Sequence, residues 1–506
     1  MGRIRLTRGV IVAVLVGSGP LGAQERPGPA ATRRPGELVV ESDTLTTAEG
    51  KGVGYEVGTL YVPENRAKTG SRVIGVGFAR FRASTSTPAP PIFLLPGGPG
   101  FSIFSVLPRV MREIAQLQQV SDVVIVDQRG FSPRGDILRY PARYPAEPLD
   151  QPLSLVRSRA TEMEIARAAV ADAAAKGIDL AGYTVLECAD DVNDLRKALG
   201  YDQLILDGTS FGSQWSFAVM RRHPSIVARA ILSGVEPLDY GYDQPSTVFA
   251  AMARMAKVVE RDPAFAPYLP AGGLLAAART VIDRLEREPI RVRVRDSAAD
   301  STVTIVLGTE DFRRWFPQGR RFARNILEAF HGHYDNWAAE VLRYRRGGER
   351  PLALIGPLID GSLGVTAARL AGLRADSATA FLGQWNWDSY VASADIWPSP
   401  DVGDSIRIPV RTPIPVVFAQ GDWDTFTPIE NTVAIAPYFP NGRVLVARHG
   451  GHGVIGPIAR DAPDVMEKLL GFLRTGSTAE VPVELVLPIP TFEPPTFPRP
   501  PGSPQP

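Results

Sequence analysis

The chain has 506 residues, 44% of them hydrophobic and 22% charged, so it can bury a large core in two or three domains or in one elaborated domain. Its 55 lysines and arginines nearly balance 54 aspartates and glutamates. The formal net charge of +1 provides no global field for binding nucleic acid or an acidic membrane surface. Cys188 is the only cysteine, which excludes an intrachain disulfide and a cysteine metal cluster. We therefore expect no nucleic-acid partner, no bound metal and no cofactor.

The first residues have the pattern of a secretion signal, with three arginines before an apolar run and small residues leading to Ala23. We predict a signal peptide over residues 1–23, cleaved after Ala23, and hence a secreted or periplasmic protein. The apolar run is far shorter than the roughly 20 residues of a transmembrane helix, so we expect no stable membrane insertion. Residues 24–37 are rich in proline, glycine and arginine and predict a disordered leader.

Short apolar runs separated by helical patterns predict an α/β fold. Runs at 55–62 and 72–81 indicate an antiparallel strand pair at one edge of a sheet. Later apolar runs do not alternate with polar residues, which is typical of parallel strands covered on both faces. These runs lie at 91–95, 122–126, 204–206, 228–232, 415–420 and 443–447, and helical patterns lie at 158–175, 187–199, 211–221 and 463–474.

The region 241–405 has a different character and predicts an inserted helical lid. It divides the core into a first part, 38–240, and a second part, 406–476. Residues 477–506 form a proline-rich tail that can be neither a helix nor an inner strand, and we expect it to be solvated or to lie along the surface. Helical patterns in the lid lie at 248–260, 272–286, 310–330 and 335–345, with one candidate buried strand at 303–307.

A glycine-flanked serine follows the run 204–206 in the sequence Gly208-Thr209-Ser210-Phe211-Gly212, and a helical pattern follows it. This strand–turn–helix context is the one in which G-x-S-x-G exposes a serine nucleophile on a tight turn. A serine hydroxyl becomes a good nucleophile only when a histidine takes its proton and a carboxylate orients that histidine. The alternative is an ordinary serine in a glycine-rich connection.

Candidates for the carboxylate and the histidine follow the last two predicted strands. Asp422 and Asp424 come after the first of these strands, and His449 and His452 come after the second. The order serine, aspartate, histidine is the one expected of an α/β-hydrolase. Because the carboxyl ends of parallel strands share one edge of a sheet, these residues can meet the serine there.

Five motifs of this chain resemble those of the prolyl aminopeptidase and tripeptidyl aminopeptidase group of serine peptidases. They are L-P-G-G-P-G at 95–100, D-Q-R-G at 127–130, G-T-S-F-G at 208–212, G-D-W-D-T-F-T-P at 421–428 and G-G-H-G at 450–453. The resemblance covers about 50–240 and 405–475 and implies an α/β-hydrolase fold with a helical cap. Pro96 stands where the common family motif has histidine, as in the tripeptidyl branch, which slightly favours that branch.

The resemblance also implies roles for individual residues. Ser210 is then the nucleophile, Asp424 the acid and His452 the base, with Asp422 and His449 as the local alternatives.

Two backbone N–H groups, of Phe211 and of Gly98 or its neighbour Gly97, would form the oxyanion hole. Asp127 and Arg129 match a structural motif of the family, and we predict an ion pair between them that braces the loop beside the oxyanion hole.

Exopeptidases of this family hold the free amine of the substrate with acidic residues in or near the cap. Glu236, Asp239 and Asp243 follow the sixth predicted strand and are the candidates here. The expected function is a secreted serine aminopeptidase, of prolyl or tripeptidyl type, that cleaves short units from the N-terminus of peptides. The alternatives are an esterase or other small-molecule hydrolase with the same triad, and a binding protein that has kept the fold. The expected partner is therefore a peptide or a small ester.

Overall fold

The computed structural model describes residues 33–47, 50–316, 319–383 and 391–500. The predicted signal peptide, residues 24–32 of the predicted leader and the last part of the predicted tail lie outside the described residues.

The described residues form strands and helices that are connected by loops. The strands are β1 (Leu38–Thr46), β2 (Gly52–Pro63), β3 (Val73–Phe81), β4 (Ile92–Leu95), β5 (Val123–Val126), β6 (Arg139–Tyr144), β7 (Leu204–Thr209), β8 (Val227–Ser233), β9 (Ile290–Asp296), β10 (Ser301–Leu307), β11 (Gly348–Ala353), β12 (Val416–Gly421), β13 (Arg443–Arg448) and β14 (Glu484–Val486). The helices are α1 (Leu107–Leu117), α2 (Leu155–Ala175), α3 (Val185–Ala198), α4 (Phe211–Arg222), α5 (Pro245–Val259), α6 (Gly273–Arg287), α7 (Thr309–Trp315), α8 (Phe322–Phe330), α9 (Asp335–Arg345), α10 (Ile355–Leu363), α11 (Ala367–Ala375), α12 (Thr379–Leu382), α13 (Asp404–Arg407), α14 (Ile429–Ile435), α15 (Ile455–Asp461) and α16 (Pro463–Thr475).

Within the described residues, one large sheet has the strand order β1-β2-β3-β5-β4-β7-β8-β12-β13-β14. The pairs from β1 to β5 are antiparallel, and every pair from β5–β4 to β13–β14 is parallel. The parallel strands therefore end at the same edge, where ligands bind in open α/β sheets. The loops after β4, β7, β8, β12 and β13 meet at this edge and carry the candidate site residues.

Apolar side chains cover both faces of the sheet, as β7 illustrates. Leu204 and Leu206 point into the core shared with α3 and α4, whereas Ile205 points into the core shared with α1 and α16. Burial on both faces explains why these strands lack the apolar–polar alternation of half-exposed strands. The prediction of a mostly parallel sheet flanked by helices is confirmed.

The chain between β8 and β12 corresponds to the predicted lid. Most of it packs around an apolar core of its own, whereas α10 packs in the core of the large sheet. The lid is less purely helical than the sequence predicts, because β9 and β10 form an antiparallel hairpin and β11 pairs with β6 of the core. In β9, buried Val292 and Val294 alternate with exposed arginines, and this strand was not predicted from the sequence. The single helix expected at 310–330 is also two helices, α7 and α8.

Both ends of the described chain are more ordered than predicted. Residues 33–37, assigned to a disordered leader, lie against β2, where the Gly36 N–H donates to Tyr61 O at 2.8 Å. They lead into β1, which makes β1 rather than β2 the outer strand of the sheet. At the opposite edge the proline-rich tail contributes β14 and then crosses to the lid, where the Phe497 ring lies 4.0 Å from that of His333. No helix of the described residues is long and apolar enough to cross a membrane.

Candidate active site

Ser210 lies at the junction of β7 and α4 with φ 60° and ψ −130°. A residue with a side chain held at positive φ stores about 1–3 kcal/mol of strain, which persists only where the surroundings enforce it. Here two glycines allow the tight packing that enforces it. A Cβ on Gly208 would collide with Gly212 O, and a Cβ on Gly212 would collide with Leu95 O of β4. The motif therefore forms the strained turn expected of a nucleophile.

Asp424 and His452 meet across the loops that follow β12 and β13. His452 Nδ1 lies 2.9 Å from Asp424 Oδ2 and 3.1 Å from Oδ1. The buried Asp424 carboxylate also accepts hydrogen bonds from Phe426 N at 2.9 Å, Thr427 N at 3.0 Å and Thr427 Oγ1 at 2.7 Å. Burial alone would raise the pKa of Asp424, but the charge of His452 and these hydrogen bonds outweigh it and lower that pKa. Asp424 is thus held as a carboxylate against the imidazole.

The pKa of His452 is shifted in the opposite direction, upward. Burial alone would lower its pKa, but the charge and hydrogen bond of Asp424, with a smaller contribution from Asp243, raise the pKa above 6.5. A histidine held in this way can take a proton and keep it while a reaction proceeds.

The side chains of the alternative pair, Asp422 and His449, bind other groups. Asp422 accepts hydrogen bonds from the backbone His449 N at 2.7 Å and from Arg448 Nη1 at 3.4 Å. His449 Nδ1 lies 2.9 Å from Leu487 O at the end of β14. Of the two candidate pairs, the structure therefore brings Asp424 and His452 side chains together and directs those of Asp422 and His449 to structural partners.

The end of β8 lies between the serine turn and the histidine loop. Ser210 N donates to Ser233 O at 3.0 Å, and Val454 N donates to Ser233 Oγ at 3.1 Å. Gly234 follows at φ 56°, and a Cβ there would lie 3.0 Å from His452 Cε1. The imidazole thus packs on Gly234 beside Ser210, although none of the hydrogen bonds of the described residues joins Ser210 Oγ to His452. Such bonds are often long in ligand-free sites and shorten when substrate binds.

The loop at 96–100, after β4, faces Ser210 from the other side. A Cβ on Gly97 would lie 3.1 Å from Ser210 Cβ and 3.6 Å from its Oγ, and the next residue, Gly98, is exposed. The buried Gln128 holds this loop, because its Nε2 donates to Gly97 O at 2.8 Å and its Oε1 accepts from Gly100 N at 2.7 Å. Phe211 is the first residue of α4, where backbone N–H groups have no partner within the helix. Backbone donors of both elements therefore border the serine.

Comparisons with known proteins agree with this topology. Residues 90–266 match a family model described as alpha/beta hydrolase fold, and residues 381–482 match a model described as TAP-like protein. The chain has the α/β-hydrolase fold. Among curated proteins, no sequence matches this chain.

Several solved structures are similar to this chain. A thermophilic esterase from Thermogutta terrifontis is 17% identical, with 86% of this chain and 98% of the esterase covered and a TM-score of 0.33. A bromoperoxidase from Bacillus anthracis is 14% identical, with 82% and 99% covered and a TM-score of 0.34. An esterase from Exiguobacterium antarcticum is 13% identical, with 82% and 99% covered and a TM-score of 0.34.

The expected ion pair between Asp127 and Arg129 is not formed. Asp127 accepts hydrogen bonds from Ser102 Oγ at 2.9 Å and Ser132 Oγ at 3.0 Å. Arg129 instead binds Asp191 of α3 through two hydrogen bonds, of 2.7 Å from Nε and 2.6 Å from Nη2. Asp127 therefore braces the loop after Gly100 through a serine hydroxyl, and Arg129 fastens α3 to the end of β5.

The three acidic candidates after β8 differ in environment, since Asp243 is buried whereas Asp239 and Glu236 are partly exposed. Asp239 accepts hydrogen bonds from Thr366 N at 2.6 Å and Thr366 Oγ1 at 2.8 Å, so it holds the start of α11 and is not available for a substrate amine. Glu236 is partly buried, and burial, followed by the charges of Asp243 and Asp360, raises its pKa well above the usual value. Burial, followed by Asp243, also raises the pKa of Asp360 to about 7.

Sequence reasoning missed Asp360, because it lies on a lid helix, α10, far along the chain and in no motif. It also missed two buried polar residues, Ser213 and Gln420, that contact the loop carrying Glu236. Gln420 could have been noticed as a polar residue at the end of an otherwise apolar strand.

Proposed function

We propose that this protein is a serine hydrolase that acts as an aminopeptidase, cleaving short units from the N-terminus of peptides through an acyl-enzyme on Ser210. The contact between Asp424 and His452, beside a serine on a strained turn, is the observation that carries the proposal. The sequence pattern at the N-terminus adds the proposal that the enzyme is exported.

In the first step, His452 takes the proton of the Ser210 hydroxyl while its oxygen attacks the carbonyl carbon of the scissile bond. Asp424 keeps the imidazole in the required tautomer and stabilises the imidazolium. The oxyanion is bound by the N–H groups of Phe211 and Gly98, each worth on the order of 3 kcal/mol of barrier. His452 then protonates the leaving amine, and a water molecule, activated by the same histidine, releases the acyl group from Ser210.

Carboxyl groups beside the imidazole support a preference for a free amine. The charges of Asp243, Asp360 and Asp424 act on Glu236, opposed by the charge of Arg369, and the charge of Asp243 also acts on Asp360. Carboxyl groups that repel one another retain protons, and a substrate ammonium would replace those protons with a fixed positive charge. We assign Glu236 to the substrate amine, because it lies two residues after Gly234, which packs on His452.

An esterase is the second candidate function, and the carboxyl groups of Glu236 and Asp360 are also compatible with it. If the raised pKa values keep Glu236 and Asp360 neutral during turnover, the site would accept an uncharged acyl group. Acyl transfer to a serine serves esters as readily as amides.

Replacing Glu236 separates the two candidates. For Glu236→Gln we expect the KM for an aminoacyl-anilide with a free amine to rise about 10- to 100-fold, since a hydrogen bond to a charged group contributes about 1.5–3 kcal/mol. The KM for the matching N-acetylated anilide and for a short-chain ester should stay within about threefold, given the small net value of neutral contacts. Asp239→Asn is the matched control, because Asp239 is bonded to Thr366. Equal changes for free and acetylated substrates, or turnover of esters alone, would contradict the aminopeptidase.

The pH dependence of ester turnover tests the role of His452. Only the neutral imidazole can accept the serine proton, so kcat/KM should fall as the pH drops through the pKa of His452. Because the folded protein raises this pKa, we expect the midpoint of the acid limb to lie above 6.5. Asp424→Asn should move the residual limb to lower pH, since it removes the largest contribution that raises the pKa. A wild-type limb centred below 6.5 would contradict the assignment.

A further inference from the structure

The four residues Ser233–Glu236, here called the β8 turn, connect β8 to the lid. Ser233 binds the backbone of Ser210, and Gly234 packs on the imidazole of His452, as described above. Glu236 ends the turn and carries the proposed amine contact. Two buried side chains from other elements, Ser213 and Gln420, also bind the turn, one from each side.

Ser213, in the first turn of α4, connects the β8 turn to the nucleophile. Its Oγ accepts a hydrogen bond from Glu236 N at 2.9 Å and donates to Ser210 O at 2.7 Å. It also lies 3.3 Å from Gly234 O. The backbone of Glu236 is therefore two hydrogen-bond lengths from the backbone of Ser210.

Gln420, the fully buried residue near the end of β12, connects the same turn to the acid. Its Oε1 accepts from Val235 N at 2.9 Å, and its Nε2 donates to Thr427 O at 2.8 Å and to Asp424 Oδ2 at 3.2 Å. The orientation of the amide follows from these partners, because a flipped amide would direct its oxygen at two acceptors. The β8 turn is thus bound from the side of the acid as well as from the side of the nucleophile.

We propose that Ser213 and Gln420 are positioning residues that hold Glu236 at one distance from Ser210, so that peptides with a free amine are cut at a single position. The proposal rests on the proposed function, since it takes Glu236 as the amine contact. Each residue of an extended peptide adds roughly 3.3–3.6 Å. Cleavage one residue further along would require Glu236 to move by about that length, which would break hydrogen bonds on both sides of the turn.

The test compares the buried serines of one helix, Ser213→Ala and Ser216→Ala. Ser216 Oγ donates to Gly212 O at 2.7 Å, within α4, and does not bind the β8 turn. An unblocked oligo-alanine peptide removes side-chain preference, and mass spectrometry at low conversion gives the lengths of the first units released. We expect the wild type and Ser216→Ala to release units of one length. In Ser213→Ala the proportion of other lengths should rise about five- to tenfold, as expected for the loss of one net hydrogen bond.

If Ser213 only stabilised the fold, Ser213→Ala would lower the melting temperature and the rate without changing the lengths of the products. If Ser213→Ala does not fold, Gln420→Met provides the same readout, with a lower kcat in addition because Asp424 loses a donor. Unchanged product lengths in the folded variants would overturn the proposal. Failure of the proposed function gives a different result, because the wild type would then turn over esters alone or show no preference for free over acetylated amines.

Discussion

Ser210→Ala is expected to lower kcat/KM by at least about four orders of magnitude for peptide and ester substrates alike. The loss should be this large because the residues of a catalytic triad act as a unit, and His452 has no proton to take once the hydroxyl is gone. The hydrogen bond from Ser210 N to Ser233 O uses the backbone and is retained in the variant. The variant should therefore fold as the wild type does, which circular dichroism and thermal unfolding would check.

A second substitution at the same position, Ser210→Gly, separates the catalytic role of the side chain from the strain of the backbone. Ser210→Gly should be as inactive as Ser210→Ala, but more stable than it by about 1 kcal/mol, because glycine adopts positive φ without the cost that alanine retains. Urea unfolding of the two variants measures this difference directly. Equal stabilities would mean that the turn at φ 60° is not strained in solution.

Asp424→Asn is expected to lower kcat by about 10³- to 10⁴-fold with little change in KM. An amide in place of the carboxylate favours the wrong tautomer of His452 and removes the charge that stabilises the imidazolium. Asparagine keeps the volume of the side chain and can still accept from Thr427 N, so the fold should persist. Steady-state kinetics with an ester, which is the less demanding substrate, would measure the residual activity.

Asp422→Asn is the matched control, two residues away in the same loop. Asp422 receives the backbone N–H of His449 and an arginine, so its loss should lower stability more than it lowers kcat. We expect a kcat within about tenfold of the wild type, since the charge removed does not contact the imidazole. A collapse of kcat in Asp422→Asn with activity preserved in Asp424→Asn would contradict the assignment of the acid.

The core of this fold could be predicted from the sequence because its signals are local. The apolar run 204–206 and the glycines around Ser210 together specify a strand, a tight turn and a helix. The same holds for the strands before Asp424 and His452, and their parallel order places both residues at the edge that carries the serine turn. The fold class and the sheet edge at which these residues lie therefore followed from short stretches of sequence, whereas the choice of Asp424 and His452 over Asp422 and His449 came from the family resemblance.

Features that depend on distant partners could not be predicted in this way. Asp239 lies in the same short stretch as Glu236, but it binds the start of α11, which is far along the chain. The partner of Arg129 is Asp191 on α3, far along the chain, whereas Asp127 is bound by two serine hydroxyls. The hairpin strand β9 was missed because its exposed arginines obscure a period of two that becomes visible only with the pairing to β10.

The central claim, that Ser210 is a nucleophile activated by Asp424 and His452, is tested most directly by covalent labelling. A fluorophosphonate reacts with an activated serine, whose oxygen displaces fluoride at phosphorus, and peptide mapping then locates the modified residue. We expect one phosphonyl group, on Ser210, absent from Ser210→Ala and formed far more slowly in His452→Ala. Modification of another residue, or labelling that persists in Ser210→Ala, would contradict it.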